Sequence, residues 1–221
     1  MATVMPTIPE IFEEAYDRAG LQMRGGYDLR SARRSLNLLM LEWQNRGLNL
    51  FTIDFGTIPL VSGTATYTMP SDTIDLIEHQ LRTGTGTDQV DYHLNRISVS
   101  DYAKQVNKNT QGRPVEIFIR RLPTEVTATL WPVPDSSAYS LLYYRLAGID
   151  GLDSGIGTTP DIPPRFVPAL TAGLAFNLAL KSREAIDRVG MLKQEYEYQF
   201  QMAADEDRDR ASVRFIPWSM N

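Results

Sequence analysis

The hydrophobic period of this chain changes twice, from helical to strand-like and back to helical, and no fold of a single class accommodates that order. Thr7 followed by Pro9 and Glu10 has the form of an N-cap with proline in the first turn. Phe12, Ala15, Tyr16 and Ala19 then share one face, and Gly20 is the expected stop. Gly25-Gly26 supplies a turn, and a second helix is expected from near Asp28. In it Leu29, Ala32, Leu36, Leu39 and Trp43 step by three and four, as in a coiled-coil seam. Met40 widens that stripe, and Gly47 is expected to close the helix. The first fifty residues therefore read as an αα-hairpin.

From Leu50 the period becomes two. Phe51, Ile53 and Phe55 alternate with Thr52 and Asp54, and Ala65, Tyr67 and Met69 alternate with threonines. Similar runs follow at Val90-Tyr92-Leu94, Val115-Ile117-Ile119, Val126-Ala128-Leu130 and Tyr139-Leu141-Tyr143, each bounded by turn residues. This spacing predicts antiparallel hairpins in a sheet or small sandwich with one packed face. A short helix over about Ser100 to Val106, capped by Ser98 or Ser100, interrupts them.

A glycine- and proline-rich connection, Asp150 to Pro164, ends the β section. Leu170, Leu174 and Leu178 then recur at helical spacing beside Ala175 and Ala179. After a phase shift, where Ser182 can cap a new helix, Val189, Leu192, Tyr196, Phe200 and Ala203 form another seam. Residues 205–210 are all charged and are expected to be solvated. The expected fold class is α+β: a discontinuous helical bundle from N- and C-terminal helices, an inserted antiparallel β section and an extended C-terminal tail. The expected domains are 1–49 plus 164–211 for the bundle, 50–163 for the β insertion and 212–221 for a docking tail.

Charge narrows the function. The net charge is −5. Acids and bases balance in residues 1–50 and again in 164–221, whereas residues 51–163 hold thirteen acids against eight bases. Tight nucleic-acid binding needs a basic patch that displaces counterions, and Arg30, Arg33 and Arg34 read instead as a solvated helix face. No apolar run approaches the roughly 20 residues of a membrane span, and no membrane partner is expected. Cysteine is absent, so no disulfide or thiolate chemistry is available. Synthesis in the host cytoplasm is the expectation.

Catalytic patterns are also missing. His79 and His93, the only histidines, lack metal-ligand spacing and read as structural. No metal, cofactor or catalytic residue is expected. Asp72, Asp75, Glu78 and Asp88 are dense enough to suggest a two-carboxylate glycosidase, but carboxylates at turns and strand ends are the usual surface of an acidic domain. Thr83-Gly84-Thr85-Gly86-Thr87 lacks the lysine and the following helix of a phosphate loop. It reads as a hairpin tip of the kind that carries contacts in assemblies. Beyond the charged stretch, Arg214, Phe215, Ile216, Pro217 and Trp218 offer aromatic anchors on an extended strap that docks on its own domain or on a partner.

The order of these pieces resembles the head-to-tail adaptor (connector, or tail accessory) family of short-tailed bacteriophages. The run from Leu36-Asn37 through Trp43 to Gly47-Leu48 is similar to that family's "Leu-Asn … Trp … Gly-Leu" helix. Gly63 to Pro70 is similar to its following strand, with Met69 where leucine is usual. Ser100-Asp101-Tyr102, Gly112-Arg113-Pro114 and Pro132-Val133-Pro134-Asp135 fall in the family's order, as does the final alanine-bearing helical pair. The resemblance spans about residues 8–210, and the tail from Val213 matches nothing in it. It implies a non-enzymatic virion protein at the head-tail junction: a ring homo-oligomer, a dodecamer, between the portal protein and the tail nozzle or tail-tube protein. DNA would pass through its channel without sequence-specific binding and be helped to stay packaged. The competing readings are a tail-tube or tail-completion subunit and, further off, a tail-borne peptidoglycan-degrading glycosidase.

Overall fold

In the computed structural model, the structure describes residues 5–46, 52–148, 159–160 and 162–207. The chain divides into two compact units, 1–51 with 151–221, and 52–150. The fold is α+β, with N- and C-terminal helices and a β section inserted between them.

The helical unit begins with α1 (Ile8–Ala19), whose Glu10 carboxylate accepts from the Thr7 backbone N–H at 2.6 Å and from its hydroxyl at 2.9 Å. Two otherwise unpaired donors at the helix start are thereby satisfied. Helix α2 (Gly26–Asn45) begins two residues before its expected start and buries Ala32, Leu36, Leu39, Met40 and Trp43, the seam read from the sequence. Gly47, the expected terminator, lies outside the described residues.

Helix α4 (Val167–Ala179) is the hub. Ala169, Leu170, Ala172, Gly173, Leu174, Ala175, Leu178 and Ala179 are all buried, so it is apolar all round. Its small residues let α1, α2 and α5 (Val189–Glu206) approach it together. The expected αα-hairpin is thus modified: α1 and α2 are joined by a short turn, yet each packs chiefly on α4. Gly173 marks the closest approach, since a Cβ there would lie 2.8 Å from the Tyr196 ring and 2.9 Å from Leu39.

Helix α5 leads away from a six-residue 3₁₀ turn capped by Ser182, whose hydroxyl accepts from the Glu184 N–H at 3.3 Å. Leu192, Tyr196 and Ala203 are buried as the seam predicts. One expectation is corrected at the end of α5. Asp207, in the stretch read as solvated, is buried and accepts a hydrogen bond from Arg165.

The β unit holds two four-stranded sheets. The first, in order β1-β10-β3-β4, joins β1 (Ile53–Pro59), β10 (Ser140–Ala147), β3 (Thr73–Thr83) and β4 (Val90–His93), all antiparallel. The second, in order β2-β8-β7-β5, joins β2 (Thr66–Thr68), β8 (Val126–Trp131), β7 (Glu116–Arg121) and β5 (Asn95–Ile97). Here β5 runs parallel to β7, and a short ladder of β6 (Gln111–Gly112) with β9 (Val133–Pro134) is parallel too. The hairpin pattern is therefore antiparallel except at these two pairings, which link strands distant in sequence.

One apolar core serves both sheets. Leu76, Leu81, Leu141 and Tyr143 come from the first, and Ile117, Ile119, Val126, Ala128 and Leu130 from the second. Helix α3 (Val99–Lys104) is capped by Ser98, whose hydroxyl accepts from the Asp101 N–H at 3.1 Å, which decides between the two candidate caps.

Candidate assembly surfaces

At the C-terminal end of α2, Trp43 is fully buried and its Nε1 donates to the Tyr196 hydroxyl at 2.9 Å. The Tyr196 hydroxyl in turn donates to Glu42 at 3.2 Å. Burial raises the Tyr196 pKa well above the ordinary phenol value, with Glu42 adding to it. Phe166 and Phe200 lie 5.6 and 5.5 Å from the Trp43 ring, tilted against it. Arg46 closes this cluster: it lies over the Phe200 ring at 4.6 Å and binds both oxygens of Glu197, at 2.7 and 2.9 Å. That hydrogen bonding lowers the Glu197 pKa. The cluster locks α2 to α5 and so fixes which faces of each point away from the hub.

Those outward faces are unusually apolar. On α2, Tyr27, Leu38 and Leu41 are 68%, 63% and 54% exposed. With exposed Arg30 and Arg34 they form a stripe on the side opposite Leu36 and Trp43. On α5, Met191, Tyr198 and Met202 are 61%, 61% and 54% exposed, and the exposed Glu195 and Asp205 share their side. Single exposed apolar side chains are ordinary, whereas rows of them at helical spacing mark contact surfaces.

The α2 stripe borders a groove of about 600 Å³ where α1 and α2 part company. Tyr16, Tyr27, Arg34, Leu38 and Lys181 are among its walls. The Lys181 ammonium donates to the Ser35 hydroxyl at 2.6 Å and to the Ser31 hydroxyl at 3.2 Å. Desolvation first, then nearby Arg34, lowers its pKa.

In the β unit, Thr83-Gly84-Thr85-Gly86-Thr87 forms the tip of the β3–β4 hairpin, and residues 84–87 are exposed. Gly84 has φ 78°, and a Cβ there would come within 2.2 Å of the Asp88 carbonyl oxygen, so the tip's shape demands glycine. The four acids weighed as a glycosidase pair are dispersed. Asp72 accepts from Arg145 at 2.6 Å, and that hydrogen bond chiefly lowers its pKa, the reverse of what a general acid needs. Asp75 pairs with Arg96 at 3.0 Å and Arg121 at 3.4 Å. Glu78 lies on β3 facing a small pocket beside His79, and Asp88 lies in the exposed hairpin tip.

His79 is 4% exposed, and neither ring nitrogen has a hydrogen-bond partner. It stacks on His93 at 5.8 Å. Burial, then His93 and Arg96, hold its pKa below the ordinary histidine value, with Glu78 opposing. Among the described residues no three His, Asp or Glu side chains cluster as metal ligands. No described helix is long and apolar enough to cross a membrane.

Arg214, Phe215, Ile216, Pro217 and Trp218, the residues assigned to docking, lie outside the described residues. Sequence reasoning missed the two exposed stripes. Leu38 and Leu41 sit within Leu36 to Trp43, where apolar residues on both faces blur the seam.

No curated protein matches this chain. Among solved structures, a chain from the neck of an empty GTA particle, computed with C6 symmetry, is similar at 12% identity over 82% of this chain and 83% of that one. Its TM-score of 0.30 is too low for the likeness to carry an argument. The family described as SU10 adaptor protein matches residues 11–217, nearly the whole chain, across both units. The chain belongs to the SU10 adaptor protein family, and with it the resemblance to phage head-to-tail adaptors is established for a structural protein of the phage particle.

Proposed function

We propose that this protein forms a twelve-fold ring between the portal and the tail nozzle or tube, encloses a channel for DNA and helps retain the packaged genome. The observation that carries this reading is the adaptor-family match over residues 11–217. Two features fit it. The helical unit presents apolar rows on α2 and α5, away from its own core, as a subunit with neighbours on both sides requires. The acid excess of residues 51–163 suits a wall past which phosphates slide without sticking.

The role is structural, and the ion-paired states of Asp72 and Asp75 favour it over hydrolysis. We assign the strap Arg214 to Trp218 to docking on the portal or a neighbouring subunit, with Arg214 available to a carboxylate. The tip 83–87 is assigned as a second assembly contact. Negative-stain electron microscopy of the protein mixed with the portal from the same genome tests the reading. A new ring at one end of the portal is expected, with a countable symmetry. Bare portals beside free protein over a range of concentrations would overturn it. Deleting residues 213–221 is expected to abolish attachment while leaving circular dichroism and melting unchanged, and unchanged attachment would refute the strap.

A further inference from the structure

We infer that the subunit-to-subunit joint is a helix pair, the outward stripe of α2 on one copy packed against the outward stripe of α5 on the next. This deepens the ring reading and rests on it. The first ground is apolar matching. Leu38 and Leu41 on α2, and Tyr198 and Met202 on α5, are each more than half exposed, and each pair is flanked at helical spacing by further exposed residues. Water-exposed rows of this kind gain by mutual burial at about 25 cal/mol per Å² of apolar area.

The second ground is charge. The α2 stripe carries Arg30 and Arg34, and the acid beside it, Glu42, is paired with Arg46. The α5 stripe carries Glu195 and Asp205 and no base, and Glu195 accepts from the Gln199 amide. Opposite signs on the two rows favour α2 against α5 and disfavour α2 against α2 or α5 against α5, because like charges would then face each other. A joint made from two different faces is heterologous and extends from copy to copy until it closes, which a ring requires.

Spacing allows the pair to be drawn in either direction. Antiparallel, Arg34, Leu38 and Leu41 meet Asp205, Met202 and Tyr198. Parallel, they meet Glu195, Tyr198 and Met202. In both, arginine faces a carboxylate and the apolar pairs face each other. The Trp43–Tyr196 hydrogen bond and the Arg46–Glu197 pair hold both helices rigidly within one subunit, so the two faces are presented ready-made.

The absence of cysteine makes the test clean. Two double variants, Leu41→Cys with Tyr198→Cys and Leu41→Cys with Met202→Cys, are mixed with portal and oxidised. One of the two is expected to give a ladder of disulfide-linked multimers on non-reducing gels, while each single variant gives none. Dimers from a single variant would mean a like-on-like contact and overturn the proposal. So would disulfides to the portal alone, which would make the stripes a portal-binding face. Electron microscopy of the same samples separates the two readings. Rings without a ladder in either double variant refute this joint and leave the ring reading intact, whereas no rings and no ladder remove both. As a second arm, Leu38→Asp with Leu41→Asp is expected to abolish rings without lowering the melting temperature, since both side chains are exposed. Unchanged rings would overturn the joint.

Discussion

Tyr196 shows how one hydroxyl organises an inter-helix contact. It accepts from fully buried Trp43 while donating to Glu42, so its removal strands an indole N–H away from water. An unsatisfied buried donor costs about 1–3 kcal/mol. Tyr196→Phe is therefore expected to lower stability by that amount, read as a lower urea midpoint at unchanged slope. His79 makes a different case at the same scale, since burial holds its imidazole pKa below the ordinary histidine value in the folded state. The unfolded chain takes up a proton near pH 6.5, so below that pH the unfolded state binds more protons and stability falls as the pH drops. Above it this group contributes no pH dependence. His79→Leu is expected to flatten the decline in melting temperature between pH 7 and 5, and an unchanged slope would show that other groups cause it.

Among the elements, α4 does the most with the smallest side chains. Its alanines and Gly173 admit three neighbouring helices, where larger residues would hold them apart. Two effects compete in Gly173→Ala. Better helix propensity favours alanine by about 1 kcal/mol, whereas overpacking a filled core costs about 1–3 kcal/mol. The added Cβ would fall within 3 Å of Tyr196 and Leu39, both buried and unable to yield, so overpacking wins. A net loss of up to about 2 kcal/mol is expected by calorimetry, and a stabilised variant would show that the helices shift freely. In the β unit the equivalent fixing element is β10, whose Arg145 reaches Asp54 on β1 and Asp72 before β3. Three segments distant in sequence are thereby tied by one side chain.

For the whole molecule, sequence and tertiary structure determined different things. The helical seams, the Thr7–Glu10 box, the Ser98 and Ser182 caps and most strands were legible in the sequence, because each is set by residues within a few positions of one another. The family resemblance was legible too, through the order of local landmarks. What the sequence left open are relations across long separations. Helix α4 has apolar residues on every side, so no stripe announces which neighbours it will take. The parallel pairing of β5 with β7 sets Asn95 beside Glu116 across an intervening helix, and no turn signal specifies it. Asp207 read as one charge among six until the fold brought Arg165, 42 residues away, against it. Leu38 and Leu41 lie outside the seam read for α2, and that their side is left exposed was decided only when α4 and α5 had taken the seam. Local preference determines which segments are helix or strand. Which face of each segment is left for a partner is decided only when the core has been filled, because burial is a property of neighbours that the sequence does not order.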